Sequence, residues 1–277
     1  ARNVGILEAV MKYDQKALYA ELTHFYLSIC EKEQLDEPRI RGLVGSLVRK
    51  ARQAIPEEWD DKAKIHQLLQ LFYGDWGFHC DADNYFYARN LYLPYILEER
   101  EGMPVSLGTL ILYLAASLKL PIYPVNFPTQ LILRAEVDGE VAFIDPWSGK
   151  YISVDELKKL YEGAFGFGAQ IQPEDLARAD IPMLTARFRQ LAKNALIREE
   201  QNDLAFNYIQ FLLAGRKDPY DIRDRGLVLA QMGAYPSAIE DLEYFVDQCP
   251  NDPTSSLLKT QLLELKGEAL KDANAIH

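Results

Sequence analysis

The 277-residue sequence is poor in the side chains on which thiol and imidazole chemistry depends, with three cysteines and four histidines. Cys30, Cys80 and Cys249 are odd in number and far apart, so they form neither a CxxC pair nor a Cys/His spacing suited to a metal. That argues against a disulfide framework and for a reducing compartment, and predicts a cytoplasmic protein without metal or cofactor. Long apolar runs are missing as well. The stretch ARNVGILEAVMKYDQKALY contains acids and lacks the apolar centre of a signal peptide, and no run approaches the length of a membrane span. Basic residues are in deficit, 30 Lys plus Arg against 41 Asp plus Glu, for a net charge of −11. The mean field of such a chain repels a phosphate backbone, which argues against a nucleic-acid partner. What remains is an ordinary globular composition, 48% hydrophobic and 26% charged, sufficient to bury a core.

The first ninety residues read as helices. After Asp36-Glu37-Pro38, the residues Ile40, Leu43, Val44, Leu47, Val48, Ala51 and Ile55 trace one helix face, with proline in its first turn. The other face carries Arg39, Arg41, Arg49, Lys50 and Arg52, which reads as a solvated face or as a dock for an acidic partner. A second helix buries Ile65, Leu68, Leu69 and Phe72 and is expected to break at Tyr73-Gly74-Asp75-Trp76-Gly77-Phe78. The aromatic-rich stretches around Tyr85-Phe86-Tyr87 and Tyr92 to Tyr95 read as a packed loop or a groove wall. Residues 107–118 are apolar nearly all round, so that helix belongs at the centre. Strands are expected over 121–125, 131–137 and 140–144, the last two joined by an Asp138-Gly139 hairpin turn. Ser153 and Glu156 have capping-box spacing.

From about residue 182 the chain is helical again. Gly226, Leu229, Gly233, Tyr235, Ala238, Phe245 and Pro250 fit the tetratricopeptide pattern of paired helices. A weaker copy precedes it, with Ala205 lying 33 residues before Ala238, and residues 254–271 read as a capping helix. The expected fold class is α+β and mostly helical. A small antiparallel sheet of about three strands packs on a buried helix, and an α-α repeat region follows. The expected division is an N-terminal helical region over 1–80, a core over 81–180 and helical repeats over 181–277.

Hairpin register defines a candidate site. With Asp138 and Gly139 as the loop, Val137 pairs with Glu140, Leu133 with Ile144 and Ile132 with Asp145. Gln130 and Asp145 then become diagonal neighbours on one face. Ser106, at the start of the buried helix, is the third polar group able to converge there.

The segments LFYGDWGF (71–78), RxGxPxSLG (100–108), VNFPTQLILR (125–134) and FIDPWSG (143–149), with the repeat signature at 226–250, resemble the bacterial SirB-type proteins. These join a transglutaminase-like core to a tetratricopeptide region. In active members of that superfamily a cysteine at a helix N-terminus is the nucleophile, a strand histidine is the base and an aspartate on the next strand orients it. Carried onto this sequence, the cysteine position falls within Pro104 to Ser106, the histidine at Gln130 and the aspartate at Asp145; only the aspartate is kept. A glutamine amide is not a base near neutral pH, and a serine hydroxyl needs a base more than a thiol does.

The resemblance therefore implies a degenerate catalytic site and a protein-interaction adaptor with a protein or peptide partner. Its cleft would be lined by Tyr85, Tyr87, Asn90, Pro104, Ser106, Gln130, Asp145 and Trp147. The SirB likeness also implies an indirect part in regulating virulence gene expression. Two rival readings are an amidase, peptidase or acyltransferase using Ser106 or Cys80, and a structural subunit of a larger complex. Each residue also has a plain structural reading: Ser106 as a helix N-cap, Asp145 as the head of an Asx turn before Pro146, and Gln130 as a polar bridge between them. His24 and His66 fall on expected helices, His277 is terminal, and the neighbours His79 and Cys80 are expected to point apart.

Overall fold

A computed structural model describes residues 2–31 and 37–276. Asp36 and His277 lie outside the described residues. Two compact units are formed, Ala1–Leu27 with Glu31–Leu191, and Ser28–Cys30 with Ala192–His277.

The first unit begins with α1 (Arg2–Ile29), α2 (Glu37–Ala54) and α3 (Asp61–Leu69). The α2 stripe is buried at Ile40, Val44, Leu47, Val48 and Ala51. Three of its cations have local partners: Arg39 with Glu98 at 2.6 Å, Arg41 with Glu37 at 3.4 Å, and Arg52 with the Ser117 carbonyl at 3.2 Å. Asp60 caps α3 by accepting from the Ala63 N–H. The helix ends within the expected 73–78 segment, but not as an α-helix. It winds on through Gln70–Asp75 as a π-helix, with the Trp76 N–H donating to the Leu71 carbonyl at 2.8 Å. Gly77, at φ +71°, then ends it.

Strand β1 (His79–Cys80) follows, then a 3-10 turn (Ala88–Leu91) and α4 (Leu93–Glu99). Strand β2 (Glu101–Gly102) pairs in parallel with β1 and leads into α5 (Pro104–Leu118). Helix α5 is buried from Val105 to Leu112 and again from Leu114 to Ala116, as its nearly continuous apolar sequence requires.

The main sheet has four antiparallel strands in chain order: β3 (Ile122–Asn126), β4 (Leu131–Val137), β5 (Glu140–Asp145) and β6 (Lys150–Ile152). To the expected sheet of about three strands the structure adds a fourth, β6, which is too short to show an alternation. The hairpin register is Val137 with Glu140 and Leu133 with Ile144. Positive φ at both Asp138 (53°) and Gly139 (77°) makes the turn type I′. One side of the sheet carries Val125, Phe127, Ile132, Phe143 and Leu157 in a single cluster. Leu157 comes from α6 (Val154–Phe165), whose start is fixed by the Ser153/Glu156 capping box. The segment through α7 (Pro173–Leu176) runs beside β3, tied by Arg134 to the Leu176 carbonyl and by the Ala179 N–H to the Pro124 carbonyl.

Helix α8 (Ile181–Arg198) contributes residues to both units. The second unit continues with α9 (Asn202–Leu212), α10 (Pro219–Gln231), α11 (Tyr235–Gln248) and α12 (Pro253–Ala275). The repeat signature has a direct physical meaning. A Cβ on Gly226 would stand 3.0 Å from Asp241 Cβ and from Leu242, so a side chain there would press α10 and α11 apart by a few tenths of an ångström. Ala238 and Phe245 are fully buried, and Leu242 and Phe245 pack with Leu258 and Leu262 of α12. Lys193 is also fully buried, with Nζ 2.8 Å from Asp221 Oδ1 and 2.6 Å from Asp224 Oδ2. No helix among the described residues is long and apolar enough to cross a membrane.

Candidate functional site

Gly108 sets the geometry. A Cβ there would lie 2.7 Å from Leu131 Cδ2 and 3.2 Å from Pro146 Cβ, so the opening turns of α5 rest directly on the start of β4 and the end of β5. The three positions read from the sequence lie on the elements that meet there.

Ser106 is not the N-cap of α5; it is the third helical residue, and Met103 is the cap. Pro104 fixes the first helical φ, so the helix starts two residues earlier than the serine. Ser106 Oγ accepts from the Met103 N–H at 3.0 Å and donates to the Met103 carbonyl at 3.1 Å. It has no solvent exposure, and a Cβ on Gly102 would come within 2.8 Å of it. Ser106→Ala is therefore expected to cost about 1–3 kcal/mol, because it leaves the buried Met103 N–H without its acceptor. Urea unfolding of the variant checks this.

Gln130 lies in the bend before β4, with its N–H on the Phe127 carbonyl. Its side chain makes no hydrogen bond among the described residues, so the expected bridge to Asp145 and Ser106 is not formed. The β4–β5 pairing ends at Leu133 and Ile144, and Gln130 lies beyond it. The bend is held instead by Arg187, which donates to Asn126 Oδ1 at 2.8 Å and to the Phe127 and Pro128 carbonyls.

Asp145 closes β5. Its Oδ1 accepts from the Trp147 N–H at 2.9 Å in an Asx turn, and its carbonyl accepts from the Gly149 N–H at 2.8 Å. Burial pushes its carboxyl above the ordinary aspartate range; the Trp147 N–H opposes this, and nearby Glu156 adds to it.

Two neighbours of Asp145 escaped the sequence reading as a group. Tyr73 donates its hydroxyl to the Pro146 carbonyl at 2.5 Å, and its ring fills the space where a Cβ on Gly149 would sit. Cys80, paired with Gly102 across β1 and β2, has its thiol pushed up to about 12 by burial, then by the charges of Asp145 and Glu101. The signal for Tyr73 was the LFYGDWGF segment, but only the π-helix aims it at the hairpin. His79 is exposed and bonded through Nδ1 to the Gly77 carbonyl, while Cys80 is partly buried. His24 and His66 sit on α1 and α3.

Among the expected wall residues, Tyr85 meets Trp147 edge-on at 5.1 Å, and Tyr87 lies under the Arg89 guanidinium. Pro104 is half-buried at the first position of α5. Asn90 is not a wall: it is 1% exposed, and its Nδ2 staples the Asn84 and Tyr85 carbonyls from inside.

The family model of the transglutaminase-like superfamily matches residues 39–190, and that of the tetratricopeptide repeat matches residues 192–263. A UPF0162 protein of Haemophilus influenzae is 64% identical over 268 residues, covering 96% of this chain and 100% of its own. The UPF0162 protein YchA of Escherichia coli is 37% identical over 88% of this chain and 92% of its own. Protein SirB1 of Salmonella typhimurium is 38% identical over 78% and 81%. No solved structure matches the chain. Taken with the fold and the site, these matches mean that the chain belongs to the transglutaminase-like superfamily, as a SirB-type protein with a tetratricopeptide region.

Proposed function

We propose that this protein is a catalytically degenerate transglutaminase-like protein that works as a protein-interaction adaptor in the cytoplasm. The observation that carries the reading is the state of Ser106, whose hydroxyl is buried and committed at both ends to the Met103 backbone. A nucleophile must be free to approach a carbonyl carbon and must hand its proton to a base. Ser106 has neither freedom nor base, since Gln130 has no basicity. Asp145, which would orient a histidine, holds the Trp147 N–H instead. Tetratricopeptide helix pairs generally present surfaces to protein partners, which supports the adaptor half of the reading. The SirB likeness extends the proposal to an indirect role in virulence gene expression.

The rival nucleophile, Cys80, gives a sharp test. A thiol moved from 9.0 to about 12 holds about a thousandfold less thiolate at neutral pH. Iodoacetamide is expected to modify Cys80 far more slowly than free cysteine at pH 7.5, by mass spectrometry of the intact protein. An electrophilic acyl probe is expected to leave both Cys80 and Ser106 unlabelled. Stoichiometric labelling of either in the folded protein overturns the degenerate reading. Affinity capture from native lysate, comparing the parent with Tyr85→Ala/Phe86→Ala, then tests the adaptor half. A partner lost in the variant places the contact at the cleft, and no partner in either sinks the adaptor reading.

The Asp145 carboxyl supplies a further expectation. A carboxyl whose folded pKa is raised binds its proton more tightly folded than unfolded, so it favours folding at acid pH. That contribution is lost as pH rises through the folded pKa. Asp145→Asn keeps an acceptor for Trp147 and removes the desolvated charge. Its melting temperature is expected to exceed the parent's at pH 7 and to converge with it at acid pH. A lower value at pH 7 would contradict the burial argument.

A further inference from the structure

The arginine of the RxGxPxSLG segment plays no part in the reading above. Arg100 is the C-cap of α4, in the left-handed conformation at φ 57°. Its N–H donates to the Ile96 carbonyl, and its own carbonyl accepts from the His79 N–H. The guanidinium lies over Phe78 with Cζ 4.7 Å from the ring centroid, and Phe78 stacks on Phe72 at 4.2 Å and 5°. Both rings are buried. Backbone and rings thus hold the guanidinium in one place.

A fixed guanidinium normally has acceptors. Arg100 has none: among the described residues no side-chain N–H of it donates a hydrogen bond, and Nη1 is buried without a partner. Burial pulls its pKa down. Arg187 makes the useful contrast. Burial lowers its pKa too, yet it delivers its N–H groups to Asn126, Phe127 and Pro128. In a chain with 41 acidic residues, a partly buried arginine that reaches no carboxylate among the described residues is an unusual arrangement for a cation.

We propose that Arg100 is a carboxylate-binding site, in which the fork held over Phe78 receives a carboxylate from outside the chain. A flat carboxylate matches the guanidinium in a way a point cation would not require. A monoanion is favoured over a phosphate dianion because the chain carries −11 overall and Glu99 and Glu101 flank the arginine in sequence. The inference does not rest on the adaptor reading, since occupancy is read at Arg100 whatever the site at Ser106 does.

The test is NMR of the 15N-labelled full chain, following the Arg100 Nε–H and the backbone N–H groups of residues 77–79 and 100–102. Sodium acetate is titrated against sodium chloride at equal ionic strength. The expected result is a saturable shift with a midpoint between about 1 and 100 mM acetate. In Arg100→Lys, read on the backbone signals, binding is expected to weaken by about tenfold or more, because the charge stays and the fork goes. Arg41→Gln, at an exposed helix position, is expected to bind as the parent does.

N-acetyl-glutamate amide against its glutamine counterpart distinguishes the source. Shifts with acetate and with the glutamate compound assign the site to acidic peptide side chains, and shifts with acetate alone assign it to small free acids. Shifts that never saturate, or that match chloride, overturn the proposal. Undiminished binding in Arg100→Lys overturns the role of the fork. Tighter binding of inorganic phosphate than of acetate overturns the carboxylate assignment.

Discussion

Gly149→Ala is expected to lower the stability of the first unit by about 2–5 kcal/mol and its melting temperature by about 5–15 °C. Two independent penalties meet at this position. Gly149 has φ +72°, where a side chain costs about 1–2 kcal/mol. A Cβ would also sit 2.2 Å from Tyr73 Cδ2 and 2.5 Å from Cε2. The ring cannot swing away cheaply, because its hydroxyl is bonded to the Pro146 carbonyl and its neighbour Phe72 is locked in the core. Forcing that contact adds about 1–3 kcal/mol. Gly139→Ala is the internal control: its φ is +77°, but nothing lies within 4 Å of the added Cβ. It is expected to show the conformational penalty alone. Thermal and urea unfolding of the two variants would separate the terms, and equal losses would show that the Tyr73 contact contributes nothing.

Lys193→Met is expected to cost the second unit about 3 kcal/mol or more. The lysine is fully buried and touches two carboxylates, Asp221 and Asp224. Each aspartate has a second cation on its other oxygen: Arg216 at 2.5 Å from Asp221 Oδ2, and Arg223 at 3.1 Å from Asp224 Oδ1. Neither arginine serves the oxygen that Lys193 serves. Methionine preserves length and apolar bulk, so the substitution removes the charge and leaves two carboxylate oxygens facing each other in the interior. Removing one partner of a buried pair is far more damaging than replacing the whole set by apolar groups. Far-UV circular dichroism during urea unfolding would read the loss. A change below about 1 kcal/mol would mean that water or the arginines already neutralise the site.

The parts of the fold legible in the sequence are those where one local pattern suffices. The α2 stripe, the all-apolar α5, the Asp138-Gly139 hairpin and the Ser153/Glu156 box each follow from periodicity or from one turn rule, and each is present. Strand β6 was hidden because three residues, Lys150 to Ile152, cannot display an alternation. Ser106 was misplaced within its helix because proline, two residues earlier, could already start it. Nothing local marks Lys193 as buried, because its partners are aspartates 28 and 31 positions later. The candidate site was legible as a set of chain positions but not as a set of contacts. The Gln130 side chain makes no hydrogen bond among the described residues, while Cys80 and Tyr73 approach Asp145 through a π-helix and a two-residue strand pair that no periodicity announces.

The π-helix at Gln70–Asp75 acts as a phase shift in the chain. An α-helix turns about 100° per residue, so accommodating one additional residue per turn rotates everything downstream relative to the α3 stripe. Phe72 stays registered with Leu68 and Leu69 in the core, while Tyr73 reaches the turn after β5. Two consecutive aromatics therefore answer to different assemblies, one to the helical core and the other to the hairpin end. Losing one residue from this turn would erase that division of labour even with both aromatics in place.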